Sequence, residues 1–291
     1  MTTSNLPILA FIGLGIMGGP MAGHLLAAGY TVHLHSRTKA KAVRQIAAGG
    51  IWHDEPAEAA AMADIVITMV GLPSDVEQLY LGAGGLLGRM RPNSMLIDMT
   101  TSTPTLAVRI AAEAASRGLG ALDAPVSGGP AGAQNAKLSI MVGGDDATFV
   151  TALPVLQVMG ANIVLQGGPG AGQHTKMSNQ IVIAGNMLGV AEGLAYAVTA
   201  GLDPAKVLQS IGTGAAASFL LSALGPLILK GDFAPGFMIQ HFVKDMTIAR
   251  DESQARGMDL KGLKTALAQY SALVDAGLSQ EGTQALAKAY K

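Results

Sequence analysis

The chain contains no cysteine in its 291 residues. Disulfides, thiolate zinc sites and a cysteine nucleophile are excluded together. The absence fits a reducing cytosol, so a cytoplasmic location is the expectation. Charge is scarce too, at 13% of residues against about 25% in an average globular protein. The two signs nearly cancel, leaving a formal net charge of −1 with no basic tail, so nucleic acid is not an expected partner. The N-terminal residues MTTSNLPILAFIG lack a basic region and a long apolar core, so they do not read as a signal peptide. Long uninterrupted apolar runs are missing as well. The best candidate, residues 181–201, contains Asn186 and Glu192 and follows the polar stretch QHTKMSNQ. A membrane span needs about 20 mostly apolar residues, and a helix apolar on most faces is usually buried in protein, so no span is expected. Neither an internal repeat nor a low-complexity linker is present.

What the chain has in abundance is glycine, 38 residues, within a composition that is 49% hydrophobic. Such a chain can bury a large core, and its length suits two domains at about 150 residues each. Apolar β-type runs occur at 8–12 (ILAFI), 31–35, 64–70, 94–98, 120–123, 139–142 and 162–165. Alanine-rich stretches of helical length, such as 18–28 and 103–117, separate most of them. This alternation predicts βαβ units and a doubly wound, mainly parallel sheet covered on both faces, an α/β fold of Rossmann type. After the glycine-rich stretch 167–172 the pattern becomes helical, over 173–200, 204–211, 239–256 and 263–276. The predicted organisation is a dinucleotide-binding domain over 1–167 and an all-helical substrate and dimerisation domain over 168–291.

Gly13, Leu14, Gly15, Ile16, Met17 and Gly18 fit G-x-G-x-x-G between an apolar strand and a helical stretch, the setting of a dinucleotide site. Gly13 makes the tight turn, Gly15 admits the pyrophosphate to the backbone, and Gly18 lets helix and strand pack closely. The helix start then faces the phosphates with free N–H groups. At the end of the second strand a carboxylate would select NAD through the ribose 2′-hydroxyl, whereas arginine suits the 2′-phosphate of NADP. The residues there are Ser36, Arg37 and Thr38. NADP(H) is the preferred cofactor on this reading, with NAD(H) left open.

Lys176 and Asn179 stand three apart at the start of the long apolar helix, and so share one of its faces. A partly desolvated lysine is suited to proton transfer. A lysine at a helix start can equally snorkel to the surface, and spacing leaves both readings open.

The ordered segments FIGLGIMGGPMAGHL, DAPVSGGPAGA, GAGQHTKMSNQ and FVKDM resemble the β-hydroxyacid dehydrogenase family, the relatives of 3-hydroxyisobutyrate dehydrogenase, and the likeness spans nearly the whole chain. The resemblance implies hydride transfer between a nicotinamide and a short β-hydroxy acid or aldehyde acid. It assigns Lys176 as the catalytic proton donor and acceptor and Asn179 as its orienting partner. It places the substrate carboxylate at Ser127, Gly128 and Gly129. It adds Val70, Gly71, Leu72, Thr101 and Lys244 to the cofactor contacts. It also implies a homodimer or homotetramer formed through the helical half, an expectation that the apolar stretch 181–201 supports. Asn179-Gln180, where many members have Asn-Asn, looks more like the 2-hydroxy-3-oxopropionate (tartronate semialdehyde) reductases; a 3-hydroxyisobutyrate dehydrogenase is the alternative. Ala136 departs from the family, which usually has glycine at that place in the substrate motif.

Two competing functions can be named. Imine reductases use a similar scaffold but generally replace the lysine, so Lys176 argues against them. A non-catalytic dinucleotide sensor predicts a broken proton donor or substrate loop, and neither is broken. His33 and His35 lie on one strand face with no third ligand at metal spacing, so no metal site is expected. Asp145 reads as a helix cap, as does Asp203 before Pro204. The small-residue run 212–218 reads either as pocket lining or as a close-packed helix junction.

Overall fold

The computed structural model describes residues 6–290. The first five residues, which belong to the N-terminal stretch considered above, and the last residue lie outside the described residues. The chain divides into two compact units, Met1–Lys176 and Met177–Lys291. The division falls inside the long apolar helix rather than in the glycine-rich stretch before it.

The first unit is built on a single sheet. Its strands are β1 (Leu9–Ile12), β2 (Val32–His35), β3 (Ile51–Trp52), β4 (Ile65–Thr68), β5 (Met95–Asp98), β6 (Gly120–Asp123), β7 (Val126–Ser127), β8 (Leu138–Gly143) and β9 (Gly160–Gly167). The order is β3-β2-β1-β4-β5-β6-β8-β7, with β9 paired to β8. Pairing is parallel except where β8 meets β6 and β7. The helices of this unit are α1 (Gly18–Ala27), α2 (Val43–Ala47), α3 (Pro56–Ala61), α4 (Pro73–Leu81), α5 (Pro104–Ser116), α6 (Gly129–Gln134) and α7 (Asp146–Gln157). Strands β1 and β4 are buried along their whole length, as the continuous apolar runs of a sheet covered on both faces require. One core lies against Phe11, Leu34, Ile67 and Ile140, and a second against Ala10, Val66, Leu96 and Tyr80. Chain order reverses between β1 and β4, and in such sheets ligands bind outside the strand C-termini at that switch point. The two-residue strands β3 and β7 are too short to leave a periodic signal.

Helix α8 (Ala171–Thr199) begins in the first unit and continues into the second. The second unit then has α9 (Pro204–Ile211), α10 (Phe219–Lys230), α11 (Ile239–Ala255), α12 (Lys261–Asp275) and a 3-10 stretch over Thr283–Tyr290. Its core gathers Met187, Phe242, Met246 and Tyr270. Among the described residues α8 is the one helix long and apolar enough to cross a membrane by length and composition. Its polar side chains are nevertheless engaged with protein, since Gln173, Lys176 and Gln180 are all buried and hydrogen-bonded.

Asp145 caps α7 by accepting the Thr148 N–H, and Asp203 caps α9 through Ala205. The run 212–218 is not a close-packed helix junction. Thr213 to Ala217 are exposed, and the close approach occurs instead where Gly225 of α10 faces Leu208 of α9.

Candidate active site

The glycine loop follows β1 at the switch point. Gly13 has φ of 100°, a left-handed conformation that favours glycine, and its N–H donates to the His35 carbonyl at 2.9 Å. A Cβ on Gly13 would run into the Met69 carbonyl oxygen, and one on Gly18 into the Gly13 carbonyl oxygen. Both positions are therefore closed to any larger residue by backbone. Gly15 is different: a Cβ there would meet nothing within 4 Å. Gly15 and Ile16 are exposed, Leu14 is buried beneath them, and α1 starts after Met17 without a side-chain cap. An exposed backbone loop ending in an uncapped helix start fits a pyrophosphate.

Ser36, Arg37 and Thr38 follow β2. Ser36 Oγ lies 3.5 Å from the Leu14 N–H, which joins this loop to the glycine loop. Arg37 is largely exposed and its guanidinium stands 3.4 Å from Asp75. Asp75 also accepts the Leu72 N–H at 3.1 Å, so α4 anchors the carboxylate that Arg37 meets. Val70, Gly71 and Leu72 connect β4 to α4, and the Val70 N–H donates to Thr100 Oγ1 at 3.0 Å. Thr101 is half-buried in the turn after β5.

Behind these loops lie buried polar groups that motif reading does not single out. Asp98, at the end of β5, accepts from the Thr68 hydroxyl at 2.8 Å and the Thr100 N–H at 3.1 Å. Burial pushes its carboxyl up to about 6 against the pull of those hydrogen bonds. Asp123, its register partner on β6, is likewise raised by burial to about 6. Gln173 is fully buried and ties α8 to the 100–102 turn: its side chain accepts from Ser102 N–H at 3.0 Å and donates to the Thr100 carbonyl at 2.7 Å. The position of Asp123 at the head of D-A-P-V-S-G-G was the signal available for it.

Lys176 is 7% exposed and its Nζ donates to the Val126 carbonyl at 2.8 Å. Of the two readings open from spacing, the structure has the buried lysine rather than the snorkelling one. The adjoining Ser127, Gly128 and Gly129 pass from β7 into α6, which has no side-chain cap. Gly128 and Gly129 have φ of 125° and 60°, so this turn needs glycine at both places.

The second unit holds Asn179 and Lys244. The Asn179 side-chain amide donates to Gln180 Oε1 at 2.7 Å, and Gln180 donates to Asp245 Oδ2 at 2.7 Å. The Lys244 ammonium lies 3.0 Å from Asp245 Oδ1, within ion-pair reach though not aligned as a hydrogen bond. Asp245 is 2% exposed, so this link is shielded from solvent. Asp245 was visible beside Lys244 in F-V-K-D-M, and only the structure gives it a partner.

Other candidates stay apart. His33 and His53 share a hydrogen bond of 2.7 Å, and burial followed by His53 lowers the His33 pKa. Among the described residues no cluster of three groups could hold a metal ion. A cavity of about 710 Å³ lies beside Arg89, Arg109 and Arg117, and none of the motif residues lines it.

Residues 8–168 match the family model for the NAD binding domain of 6-phosphogluconate dehydrogenase. Residues 170–290 match that for the NAD-binding domain of NADP-dependent 3-hydroxyisobutyrate dehydrogenase. An uncharacterized oxidoreductase of Bacillus subtilis, YkwC, is 50% identical over 96% of this chain and 97% of its own length. The 2-hydroxy-3-oxopropionate reductase of Escherichia coli is 36% identical over 97% and 96%. The structure of Mycobacterium tuberculosis 3-hydroxyisobutyrate dehydrogenase with L-serine superposes with a TM-score of 0.90 at 32% identity, over 98% and 99% of the two chains. Matched end to end by both halves of the family and carrying its glycine loop on a Rossmann sheet, this chain belongs to the β-hydroxyacid dehydrogenases and is an NAD(P)-dependent oxidoreductase.

Proposed function

We propose that the enzyme prefers NADP(H) and interconverts a short β-hydroxy acid and its aldehyde acid, with 2-hydroxy-3-oxopropionate as the first substrate to test. The observation that carries the reading is the buried ammonium of Lys176, fixed by the Val126 carbonyl one residue before Ser127. The bound nicotinamide supplies or accepts the hydride. The Lys176 ammonium hands a proton to the carbonyl oxygen during reduction, and the amine takes it back during oxidation, as a general acid and base. Ser127, Gly128 and Gly129 offer a hydroxyl and backbone N–H groups to the substrate carboxylate. Asn179 orients the reacting groups, and Gln180 and Asp245 steady it and Lys244. The pyrophosphate is held by the loop of Gly13, Leu14, Gly15, Ile16, Met17 and Gly18. The remaining cofactor contacts are Val70, Gly71, Leu72, Thr101 and Lys244.

NADP preference rests on Arg37, Ser36 and Thr38, where no carboxylate follows β2. Asp75 opposes it mildly by sharing Arg37. A second copy of the chain is the proposed partner of the helical unit, where Val182, Tyr196, Val198, Leu202 and Phe219 are exposed.

The test is a panel of small aldehyde acids assayed with NADPH and NADH. Reduction of a β-aldehyde acid with NADPH favoured is the expected result. Equal affinity for the two cofactors overturns the NADP assignment. Arg37→Ala should weaken NADPH selectively, by ~1–3 kcal/mol for a lost charge-assisted hydrogen bond. Lys176→Ala should lower turnover ~10²–10⁴-fold with NADPH binding nearly intact, and arginine should not rescue it, because a guanidinium holds its proton too tightly. Wild-type turnover in Lys176→Ala removes this residue from the mechanism.

A further inference from the structure

Four helices here find a side-chain cap in their own N-cap residue. Thr103, Asp145, Asp203 and Ser218 each accept an N–H from the first turn they precede. Helix α8 cannot do the same, because the residues before it are Gly168, Pro169 and Gly170, none of which has a side-chain acceptor. Its first N–H groups still need partners. Asp123, at the far end of β6, provides them. One carboxylate oxygen accepts the Gly170 N–H at 2.7 Å and the other accepts the Gln173 N–H at 2.8 Å.

The carboxylate has no freedom to turn away. A Cβ on Gly143 would lie 2.5 Å from Asp123 Oδ1, and one on Gly172 would lie 2.9 Å from Oδ2. Both oxygens are thus enclosed by glycine backbone. Three residues on, the Val126 carbonyl accepts the Lys176 ammonium at 2.8 Å. A single short segment, residues 123–126, therefore grips α8 twice, by its first backbone amides and by the head of the lysine one turn later. Burial disfavours the Asp123 anion, so this cap comes at a cost that the exposed carboxylate caps Asp145 and Asp203 do not bear.

We propose that Asp123 is a positioning residue of the reaction: by holding the first turn of α8 against the end of β6 it sets where the Lys176 ammonium stands. The proposal rests on the proton-transfer role given to Lys176 above. It does not make Asp123 a proton carrier, since both its oxygens are occupied by backbone N–H groups. Replacing Asp123 by asparagine keeps the shape but turns one acceptor into an NH2 group facing another donor. The helix start must then shift, and a displacement of about 1 Å can cost ~10²-fold in rate.

The test is a double-mutant cycle on the full-length protein, with NADPH and the best aldehyde acid of the panel. Turnover, KM, NADPH affinity and melting temperature are measured for the wild type, Asp123→Asn, Lys176→Ala and the double variant. Asp123→Asn should lower kcat ~10–100-fold, with KM and NADPH affinity within about threefold because neither ligand's proposed contacts include Asp123. In the Lys176→Ala background the same change should cost almost nothing more, because residues that act as a unit are not additive. If Asp123→Asn lowers kcat by the same factor in both backgrounds, or leaves it at the wild-type rate, the positioning role is overturned while the role of Lys176 stands. If Lys176→Ala alone turns over at the wild-type rate, the lysine reading fails first and this one with it. Should Asp123→Asn not fold, Asp123→Ser, whose hydroxyl can rotate its hydrogen aside and offer a lone pair to one N–H, gives the same readout.

Discussion

The two units spend their apolar surface differently. In the sheet unit β1 and β4 are buried throughout, and two cores take up both faces. In the helical unit α9 has no buried residue at all, and Val182, Tyr196, Val198, Leu202 and Phe219 each remain more than half exposed. The polar groups are distributed the other way round. The sheet unit buries Asp98, Asp123, Gln173 and Lys176 with defined partners, whereas the helical unit concentrates its buried polarity in Gln180, Asp245 and the Thr283–Gln284 turn. The sheet unit leaves Ile16, Val43 and Val150 more than half exposed as well, but scattered along its chain, as single surface apolar residues commonly are. The exposed apolar side chains of the helical unit are the ones that the second copy proposed above would cover.

Three measurements sharpen or break this contrast, and the largest effect is expected in the sheet unit. Asp98 and Asp123 have folded-state pKa values raised from 3.8 to about 6. For an acid raised in this way the folded state favours the protonated form. The stabilisation is fully present below the unfolded value and is lost as pH rises through about 6. Together the two groups should make unfolding harder by about 3 kcal/mol on going from pH 8 to pH 5. Chemical denaturation at both values checks this, with Asp98→Asn expected to remove about half of the dependence. Stability unchanged or falling toward pH 5, with Asp98→Asn giving the same slope as the wild type, would show that these carboxylates are not held against their solvation.

The next effect belongs to the helical unit. If a second copy covers the exposed face, light scattering at micromolar concentration should give at least a dimer. Tyr196→Glu should weaken association by ~2 kcal/mol or more, the cost of losing a buried aromatic anchor. A wild-type monomer would mean that the face stays in water or meets something else.

The smallest effect is local to the sheet unit. Helix α6 ends in a tight turn in which the Lys137 N–H reaches back to the Gly132 carbonyl at 2.8 Å. The residue in the left-handed position of that turn is Ala136, with φ of 52°, where glycine is usual. Ala136→Gly should raise stability by about 1 kcal/mol, since an L side chain is disfavoured there by roughly that amount. A loss of stability would mean that the alanine methyl makes contacts worth more than the strain.

The same contrast governs what the sequence discloses. The sheet unit announces itself because its chemistry depends on backbone conformation: Gly13, Gly128 and Gly129 stand at positive φ, so their spacing is readable as a pattern. Elements such as β6 and α9 also lie where their patterns place them, over Gly120–Asp123 and Pro204–Ile211. Partnerships distant in sequence were not legible. Nothing in the spacing joins Asp123 to Gly170, Gln180 to Asp245, or Arg37 to Asp75. Each pair becomes visible only when the fold brings two remote segments together. Helix α10 is hidden in the sequence for another reason, because Pro226 and Gly225 interrupt its pattern.

The glycine loop and the Ser36-Arg37-Thr38 turn differ in what may vary. Gly13 and Gly18 are closed by carbonyl oxygens of the chain itself, so the loop proposed to receive the pyrophosphate is written in backbone and admits almost no drift. Arg37 is an exposed side chain on a turn, paired with a residue of another helix, and can change without disturbing the strand beneath it. On the cofactor contacts proposed above, strength of cofactor binding and choice of cofactor are separable traits, the first held by backbone and the second open to exchange of two or three side chains at 36–38 and 75.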